Sequence, residues 1–262
     1  MKKVFILFFL LLLPLTDCLA GITILEGLSR EFKGSHGSKI EGKITLKNNE
    51  EVPQQVKIYQ TDYLFFANGE NLYGEPGSLP RSNARWLTFS PSRLTILPKE
   101  AASIYYQIQV PEKLDLAGTY WSMLMIEPFQ ENTPESAQKG FGIQTVIRYG
   151  IQIVTDVGMQ PDQKILFLDK KLIAENGRKI FQIDIENIGG RWLSPSVWVE
   201  VYDQEGKNTG RFESNKLRIY PNCSVRHRVD FTEIPKGQYR VLVIADNGDG
   251  FAVGAQYDLE VK

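Results

Sequence analysis

Residues 85–129 constrain the fold of this chain more than any other segment. They read ARWLTFSPSRLTILPKEAASIYYQIQVPEKLDLAGTYWSMLMIEPF. Two runs with alternating apolar residues, 94–97 and 103–110, flank the Pro-containing turn 98–100, and a third run follows Gly118. Short alternating runs separated by Pro and Gly turns are typical of antiparallel strands with one face buried. The spacing therefore predicts consecutive strands of a β-sandwich.

Strand-like runs continue through the rest of the chain in two groups. The first group lies at 21–25, 39–46, 55–66, 93–97, 103–110, 119–126 and 141–155, and the second at 165–174, 179–186, 197–202, 216–220, 224–231, 238–245 and 251–261. About seven short strands per group fit an immunoglobulin-like domain. The sequence thus predicts an all-β protein with two tandem immunoglobulin-like β-sandwich domains, 21–157 and 163–262, joined by a hinge at 158–162.

The two halves share a turn motif. Ile96-Leu97-Pro98, followed by Val110-Pro111 and Gly118-Thr119-Tyr120, corresponds to Ile219-Tyr220-Pro221, followed by Ile234-Pro235 and Gly237-Gln238-Tyr239. Pro suits a turn or sheet edge because no backbone donor is required there. The repeat indicates two related sandwiches.

The amino terminus has the composition of a secretory signal. Two lysines precede the apolar run VFILFFLLLLPL, which is shorter than the ~20 residues that span a bilayer. Small residues before Gly21 predict cleavage after Ala20, so that 1–20 is a signal peptide and the mature protein is periplasmic or extracellular. A lipid anchor on Cys18 is less favoured, because Asp17 occupies the place of a small residue. No second apolar run of spanning length follows, so no transmembrane segment is expected in the mature chain.

Charge and cysteine content bear on two further questions, whether the protein binds nucleic acid and whether it contains a disulfide. The chain has 30 Lys and Arg against 31 Asp and Glu, a formal net charge of −1. A nucleic-acid partner would require a basic face, so none is expected. Signal cleavage leaves Cys223 as the one cysteine, which excludes an intramolecular disulfide in the mature chain.

The residues around 85–154 resemble the amino-terminal domain of periplasmic pilus chaperones of the PapD type. That family's pattern is an aromatic followed by a Ser/Thr-Pro turn, a Leu-x-Pro turn and a strand that ends in Ile-x-Pro. The corresponding residues here are Trp86, Ser90-Pro91, Leu97-Pro98 and Ile126-Glu127-Pro128. The resemblance implies a non-enzymatic, chaperone-like protein that binds secreted or pilus-type subunits by strand-edge pairing.

The resemblance also implies a subunit-binding strand in the run from Phe141 onward. The predicted partner-binding residues are Phe141, Ile143, Thr145, Ile147 and Arg148. This run alternates cleanly, so an ordinary strand with its apolar face in the core is the alternative, above all for residues 149–153. An extended beginning of the strand could instead add to a partner's sheet.

Chaperones of this type hold the terminal carboxylate of the subunit with an Arg and a Lys. The family pattern places Val146 where the Lys belongs, and Arg148 lies on the same strand face two residues later. Arg30 is the candidate from the first strand. The resemblance therefore implies a carboxylate clamp of Arg30 and Arg148, whereas a solvated charge that shields the sheet is the alternative for Arg148.

Catalytic residues, metal sites and cofactors are not expected. His36 and His227 are isolated and are predicted to lie at the surface, and Cys223 has no His nearby in the sequence. The segment 246–250 lacks the regular acidic spacing of a calcium loop and is predicted to be a hairpin turn. The spacing of the titratable residues in the sequence indicates no catalytic group of acid, base and nucleophile.

A second function stays open on the sequence. The run 86–118 is also similar to the peptidoglycan-binding domain of WxL-interacting surface proteins. That similarity implies a cell-envelope or surface binding protein, with a protein or an envelope glycan such as peptidoglycan as ligand and no chaperone activity.

Overall fold

The structure is a computed structural model that describes residues 21–129, 147–159 and 161–262. Seventeen β-strands and one short 3-10 turn, Ala84–Trp86, make up the regular structure of these residues. The strands form two β-sandwiches, as the sequence predicts. No helix among the described residues is long and apolar enough to cross a membrane.

The first sandwich consists of two sheets. One has the order β1 (Ile22–Ile24), β3 (Lys39–Asn48), β8 (Ala101–Gln109) and β6 (Leu87–Ser90). The other has the order β2 (Ser29–Gly34), β10 (Tyr149–Val157), β9 (Gly118–Phe129), β4 (Gln54–Phe65) and β5 (Asn71–Gly74), and β7 (Arg93–Ile96) also pairs with β4. Alternation explains β8, where Ile104, Tyr106 and Ile108 are buried and Tyr105 is exposed.

The second sandwich also consists of two sheets. The first contains β11 (Ile165–Glu175), β12 (Arg178–Asn187) and β15 (Ser224–Asp230). The second contains β14 (Asn208–Glu213), β13 (Ser196–Tyr202), β16 (Gly237–Asp246) and β17 (Ala252–Val261). The domain bounds 21–157 and 163–262 and the hinge at 158–162 stay predictions.

Each sandwich contains the same buried asparagine corner. Asn48, at the end of β3, donates from Nδ2 to the carbonyls of Val52 (2.8 Å) and Ile96 (3.1 Å). Asn187, at the end of β12, donates from Nδ2 to the carbonyls of Arg191 (2.7 Å) and Ile219 (3.0 Å). Each side-chain oxygen accepts a backbone N–H two residues later, at 2.9 Å in both corners. The corners hold the two repeated Ile-x-Pro turns in equivalent positions.

The connection after β4 is anchored by one buried carboxylate. Asp62 accepts hydrogen bonds from Gly77 N–H (3.1 Å) and Leu79 N–H (2.8 Å), and from the hydroxyls of Ser78 and Ser82. From its Gly and Pro content, the sequence predicts a long loop or edge excursion at 70–83. Its first part forms the edge strand β5, and its second part wraps around Asp62.

The two sandwiches pack closely against each other. The second sandwich's core includes Trp121 and Val154, which belong to the outer face of the first sandwich. The Trp121 ring stacks on Tyr220 with centroids 4.9 Å apart. Thr119 N–H donates to the Gly190 carbonyl (3.0 Å), and the Trp192 indole donates to Asp156 (3.2 Å). Apolar packing and hydrogen bonds therefore both fix the contact between the sandwiches.

Candidate functional site: the open edge of strand β10

Strand β10 is paired along its whole length on one side and along only part of the other. Its antiparallel ladder with β9 runs from Tyr149 to Val157. Its parallel ladder with β2 begins only at Gln152, opposite Ser29. Within the described part of the chain, Tyr149 to Ile151 therefore have a strand neighbour on the β9 side alone.

The backbone groups of Gly150 point toward this open side. Gln152 N–H donates to the Leu28 carbonyl (2.9 Å), so the N–H of Gln152 faces β2. Amide directions alternate along a strand, and Gly150 therefore presents its N–H and C=O in the same direction, ahead of the start of β2. An unpaired row of this kind can accept another strand.

Arg30 holds the crossover that leaves this edge open. The chain leaves β1 in one sheet, turns at Glu26 and Gly27, and enters β2 in the other. Arg30 Nη1 donates to the carbonyls of Glu26 (2.9 Å), Gly27 (3.2 Å) and Ser29 (2.9 Å). Glu26 in turn accepts from Thr45 N–H (3.0 Å). The Arg30 guanidinium is therefore engaged by the backbone of the turn.

Arg148 lies just before β10 and is exposed. Its Nε is 3.3 Å from a Glu127 carboxylate oxygen, and the Tyr59 hydroxyl donates to the same oxygen at 2.9 Å. Arg30 is opposite Ile153 in the ladder, five residues along β10 from Arg148. The structure does not bring the two predicted clamp residues side by side.

The remaining predicted partner-binding residues fall partly outside the described residues. Phe141, Ile143 and Thr145 lie there, as does Val146. Ile147 is described and is 49% exposed. Leu25 and Leu28, in the crossover, are 52% and 49% exposed. Three exposed apolar side chains thus lie in the segments that border the open edge.

A third guanidinium, that of Arg218, lies near the end of this edge where β2 begins. Arg218, from the second sandwich, is 2.6 Å from Glu31 and 3.2 Å from the Ser29 hydroxyl. Its guanidinium carbon is 4.5 Å from the centroid of Trp192. Sequence reasoning missed Arg218, because its position depends on how the two sandwiches pack.

Tyr220 links Arg218 to β10. Its hydroxyl donates to Gln152 Oε1 at 2.6 Å and lies 3.5 Å from Arg218 Nη1. Burial raises the pKa of Tyr220, which keeps the phenol protonated and able to donate. The far end of the open edge is therefore a polar network with a cation at its centre.

The outer face of the sheet beside the open edge is apolar. Met123 and Met125 of β9 lie on this face and are buried, at 7% and 8% exposed. Gly150 pairs with Met125, and a β-carbon added at Gly150 would overlap the Met123 methyl carbon. Met123 therefore occupies the space that a side chain at position 150 would need.

The predicted surface location of His227 is wrong. Its side chain is fully buried in β15, with Nδ1 2.7 Å from the Ser214 hydroxyl. Burial lowers the pKa of His227 to about 4. His36 is half-buried, and its Nε2 lies 2.9 Å from the Leu116 carbonyl.

Cys223 is buried in the second core, and burial raises the pKa of its thiol to about 12. A thiol in this state is a poor nucleophile. Among the described residues, no group of three or more His, Cys, Asp or Glu could hold a metal ion.

Comparisons with known proteins were made at three levels. No protein-family model matches the chain, and no curated protein matches it. Similar solved structures include a chaperone–tip adhesin complex of CFA/I fimbriae (16% identity, 90% of this chain and 98% of that chain, TM-score 0.49). The class 5 fimbriae chaperone CfaA is 15% identical, with 92% of this chain and 99% of that chain covered and a TM-score of 0.48. The YadV chaperone is 16% identical, with 92% of this chain and 100% of that chain covered and a TM-score of 0.45.

Proposed function

We propose that this protein is a non-enzymatic, extracytoplasmic, chaperone-like protein that binds a secreted, pilus-type subunit by strand pairing at the open edge of β10. The observation that carries the proposal is the backbone of Gly150, which has no strand neighbour on the β2 side among the described residues, whereas Gln152 to Val157 of the same strand are paired on both sides. A partner strand would hydrogen bond to this edge, and its length would be limited by the start of β2 at Ser29.

The side chains around the edge support this use. Ile147, Leu25 and Leu28 offer apolar surface that a partner would bury. At ~25 cal/mol per Å² of apolar surface, such side chains add affinity to the main-chain hydrogen bonds. Phe141, Ile143 and Thr145 are proposed to extend the same edge.

Two guanidinium groups bracket the edge, and each is balanced by a carboxylate. A carboxylate on the partner would exchange with Glu127 at Arg148 or with Glu31 at Arg218. The clamp of Arg30 and Arg148 stays a prediction. In it, Arg148 is the member free to reorient, because Arg30 donates to three carbonyls of the crossover.

Site-specific photocrosslinking tests this function in the native envelope. A photoreactive residue at Arg148 should capture one small secreted subunit, identified by mass spectrometry. The matched control carries the same residue at Tyr105, which is 64% exposed on the other sheet, and should not capture it. Equal capture at both positions, or no protein at Arg148, would overturn the proposal.

A hollow on the second sandwich favours an alternative function, binding of an envelope glycan or surface protein without chaperone activity. The hollow has a volume of about 600 Å³ and is lined by Tyr202, Arg240, Leu242, Gln256 and Asp258, among others. Aromatic, amide and charged side chains beside Leu242 suit a polar ligand. Capture of glycan by a photoreactive residue placed in the hollow, at Gln256, would favour this function.

A further inference from the structure

Strand β17 of the second sandwich is a long edge strand without irregularities. All 10 of its residues pair with β16 in one unbroken register, and no other strand among the described residues pairs with it. The edge strand β11, in the other sheet, has a bulge between Phe167 and Asp169, and its Lys170 Nζ lies 4.1 Å from the centroid of the Tyr257 ring. Bulges and inward-pointing lysines hinder edge pairing. β17 has neither, and its edge is therefore able to accept another strand.

The backbone groups on the open side of β17 belong to alternate residues. Asn247 N–H donates to the Phe251 carbonyl (3.0 Å) at the start of the ladder between β16 and β17. Hydrogen-bonded pairs recur at every second residue of an antiparallel ladder, so the odd-numbered residues of β17 bond to β16. The even-numbered residues present their N–H and C=O groups to the open side. All of them are exposed: Ala252, Gly254, Gln256, Asp258 and Glu260.

A second copy of β17 can pair with this edge in antiparallel orientation about a two-fold axis, the commonest symmetry of protein dimers. Axes at Gln256 and at Tyr257 both overlap nearly the whole strand. An axis at Tyr257 would bring the two Tyr rings, with a Lys170 ammonium over each, directly opposite each other. An axis at Gln256 instead places each Tyr257 opposite Ala255. The large ring then faces a small side chain, and the two cations are separated.

The axis at Gln256 also suits the charges and the apolar residues of the strand. On the outer face, each acidic residue lies opposite a small residue, so no carboxylate faces another. These pairs are Asp258 with Gly254 and Glu260 with Ala252. On the inner face, Val253 lies opposite Leu259, and both are only partly buried in a single copy. Pairing would therefore bury apolar surface as well as form hydrogen bonds.

We infer that β17 is a self-association edge, through which two copies of this chain pair in an antiparallel register centred on Gln256. The four-stranded sheets of the two copies then form one continuous sheet. This inference goes beyond the proposed function and does not depend on it, because β17 and β10 lie in different sandwiches. A single strand pair buries little area, so the dimer is weak and forms only at raised protein concentration.

A single cysteine at the axis tests the register in the purified mature chain. In Gln256→Cys, the two Cα atoms would be about 5.5 Å apart, which suits a disulfide. Cys223 is buried and does not compete. We expect a covalent dimer on non-reducing electrophoresis after mild oxidation at about 50 μM protein. Ala252→Cys is the matched control, because it is exposed on the same face but would lie about 27 Å from its own copy. Equal yields from both variants, or no dimer from Gln256→Cys, would overturn the inference.

Sedimentation velocity tests the backbone hydrogen bonds of the dimer. Gln256→Pro removes an N–H that faces away from β16, so the ladder within each copy is kept and the two central hydrogen bonds of the dimer are lost. Gln256→Ala keeps this N–H and is the matched control. Between about 5 and 200 μM, we expect the unmodified chain and Gln256→Ala to shift toward dimer, and Gln256→Pro to associate about tenfold more weakly.

Circular dichroism confirms that both variants are folded. Equal association of the Pro and Ala variants would exclude main-chain pairing at Gln256, and a chain that stays monomeric at every concentration would exclude the dimer itself.

Discussion

The two asparagine corners have the same hydrogen bonds and opposite surroundings. In the first sandwich, the corner that follows Asn48 carries Glu51 at its third residue and is exposed to solvent. In the second, the corner that follows Asn187 carries Gly190 at the same position and packs against the first sandwich. A β-carbon at Gly190 would overlap the Pro161 ring. Gly189 likewise replaces Glu50 of the first corner, and a β-carbon there would lie 2.7 Å from the Asp162 carbonyl oxygen. Two residues without side chains thus distinguish the corner that docks from the one that does not.

The opposing surface is shaped for this contact as well. Gly118 has a φ of 92°, and a β-carbon there would overlap the Gly190 carbonyl oxygen. Thr119, next to Gly118, accepts the Trp192 N–H at its hydroxyl (2.9 Å). The backbones of the two sandwiches therefore approach closely at Gly118 and Gly190, and side-chain hydrogen bonds lie next to this contact.

Removal of the corner asparagines should have the largest effect. Asn48→Ala and Asn187→Ala each leave buried carbonyls without a donor, so we expect a loss of about 3 kcal/mol in unfolding free energy for each. Urea denaturation followed by tryptophan fluorescence measures it. A much smaller loss for Asn48→Ala would show that the two corners are not energetically equivalent.

Acid should destabilise the second sandwich more than the first, by an amount of free energy comparable to the loss of a corner asparagine. His227 is in the second sandwich, and its burial lowers its pKa to about 4, from the 6.5 of a histidine in the unfolded chain. The neutral form is favoured by folding, so its contribution is complete above pH 6.5 and is lost as pH falls toward 4, by up to about 3 kcal/mol. Denaturation of the whole chain from pH 7 to 5 measures the loss before most carboxylates titrate.

His227→Gln supplies the control for acid sensitivity. This variant removes the titrating group, so its stability should depend less on pH between 7 and 5 than that of the unmodified protein. An identical pH dependence in both proteins would assign the acid sensitivity elsewhere.

Gly190→Ala should loosen the contact between the sandwiches. The added methyl group must push aside Pro161, at a cost of about 1–3 kcal/mol. Glu51→Ala, at the equivalent position of the exposed corner, is the matched control and should stay within about 0.5 kcal/mol. Small-angle scattering should show a larger radius of gyration for Gly190→Ala alone. Equal behaviour of both variants would remove Gly190 as the cause of docking.

The sequence predicted the fold from local signals and missed features that depend on packing. Alternation and Pro turns identified the sandwiches, and the repeated Ile-x-Pro turns indicated their relationship. The same alternation could have placed His227 inside, because its neighbours Arg226 and Arg228 share the opposite face. Arg218 and the stack of Trp121 on Tyr220 depend on how the two sandwiches meet, which no local pattern encodes.

The candidate site divides in the same way. Ile147 and Arg148 were predicted from the alternating run and the family resemblance; they lie just before β10, and their part in partner binding stays a prediction. The edge itself follows from where β2 begins, and that start is set by the crossover that Arg30 holds. A long-range register of this kind is decided by the sheet as a whole, so the sequence of β10 alone could not reveal it.

Arg218→Met should have the smallest effect on stability and should separate structure from binding. The pair with Glu31 is partly exposed, so its loss should cost less than about 1 kcal/mol, and Met keeps the contact with the Trp192 ring. If a partner carboxylate replaces Glu31 at Arg218, the free energy of partner binding should fall by more than the free energy of unfolding, because the cation that would bind this carboxylate is gone.

The reverse variant, Glu31→Gln, frees Arg218 and should raise the affinity for the partner. Isothermal titration with the subunit captured at Arg148 measures both. Unchanged affinity in both variants would assign Arg218 to the contact between the sandwiches alone, and would leave Arg148 as the cation that meets the partner.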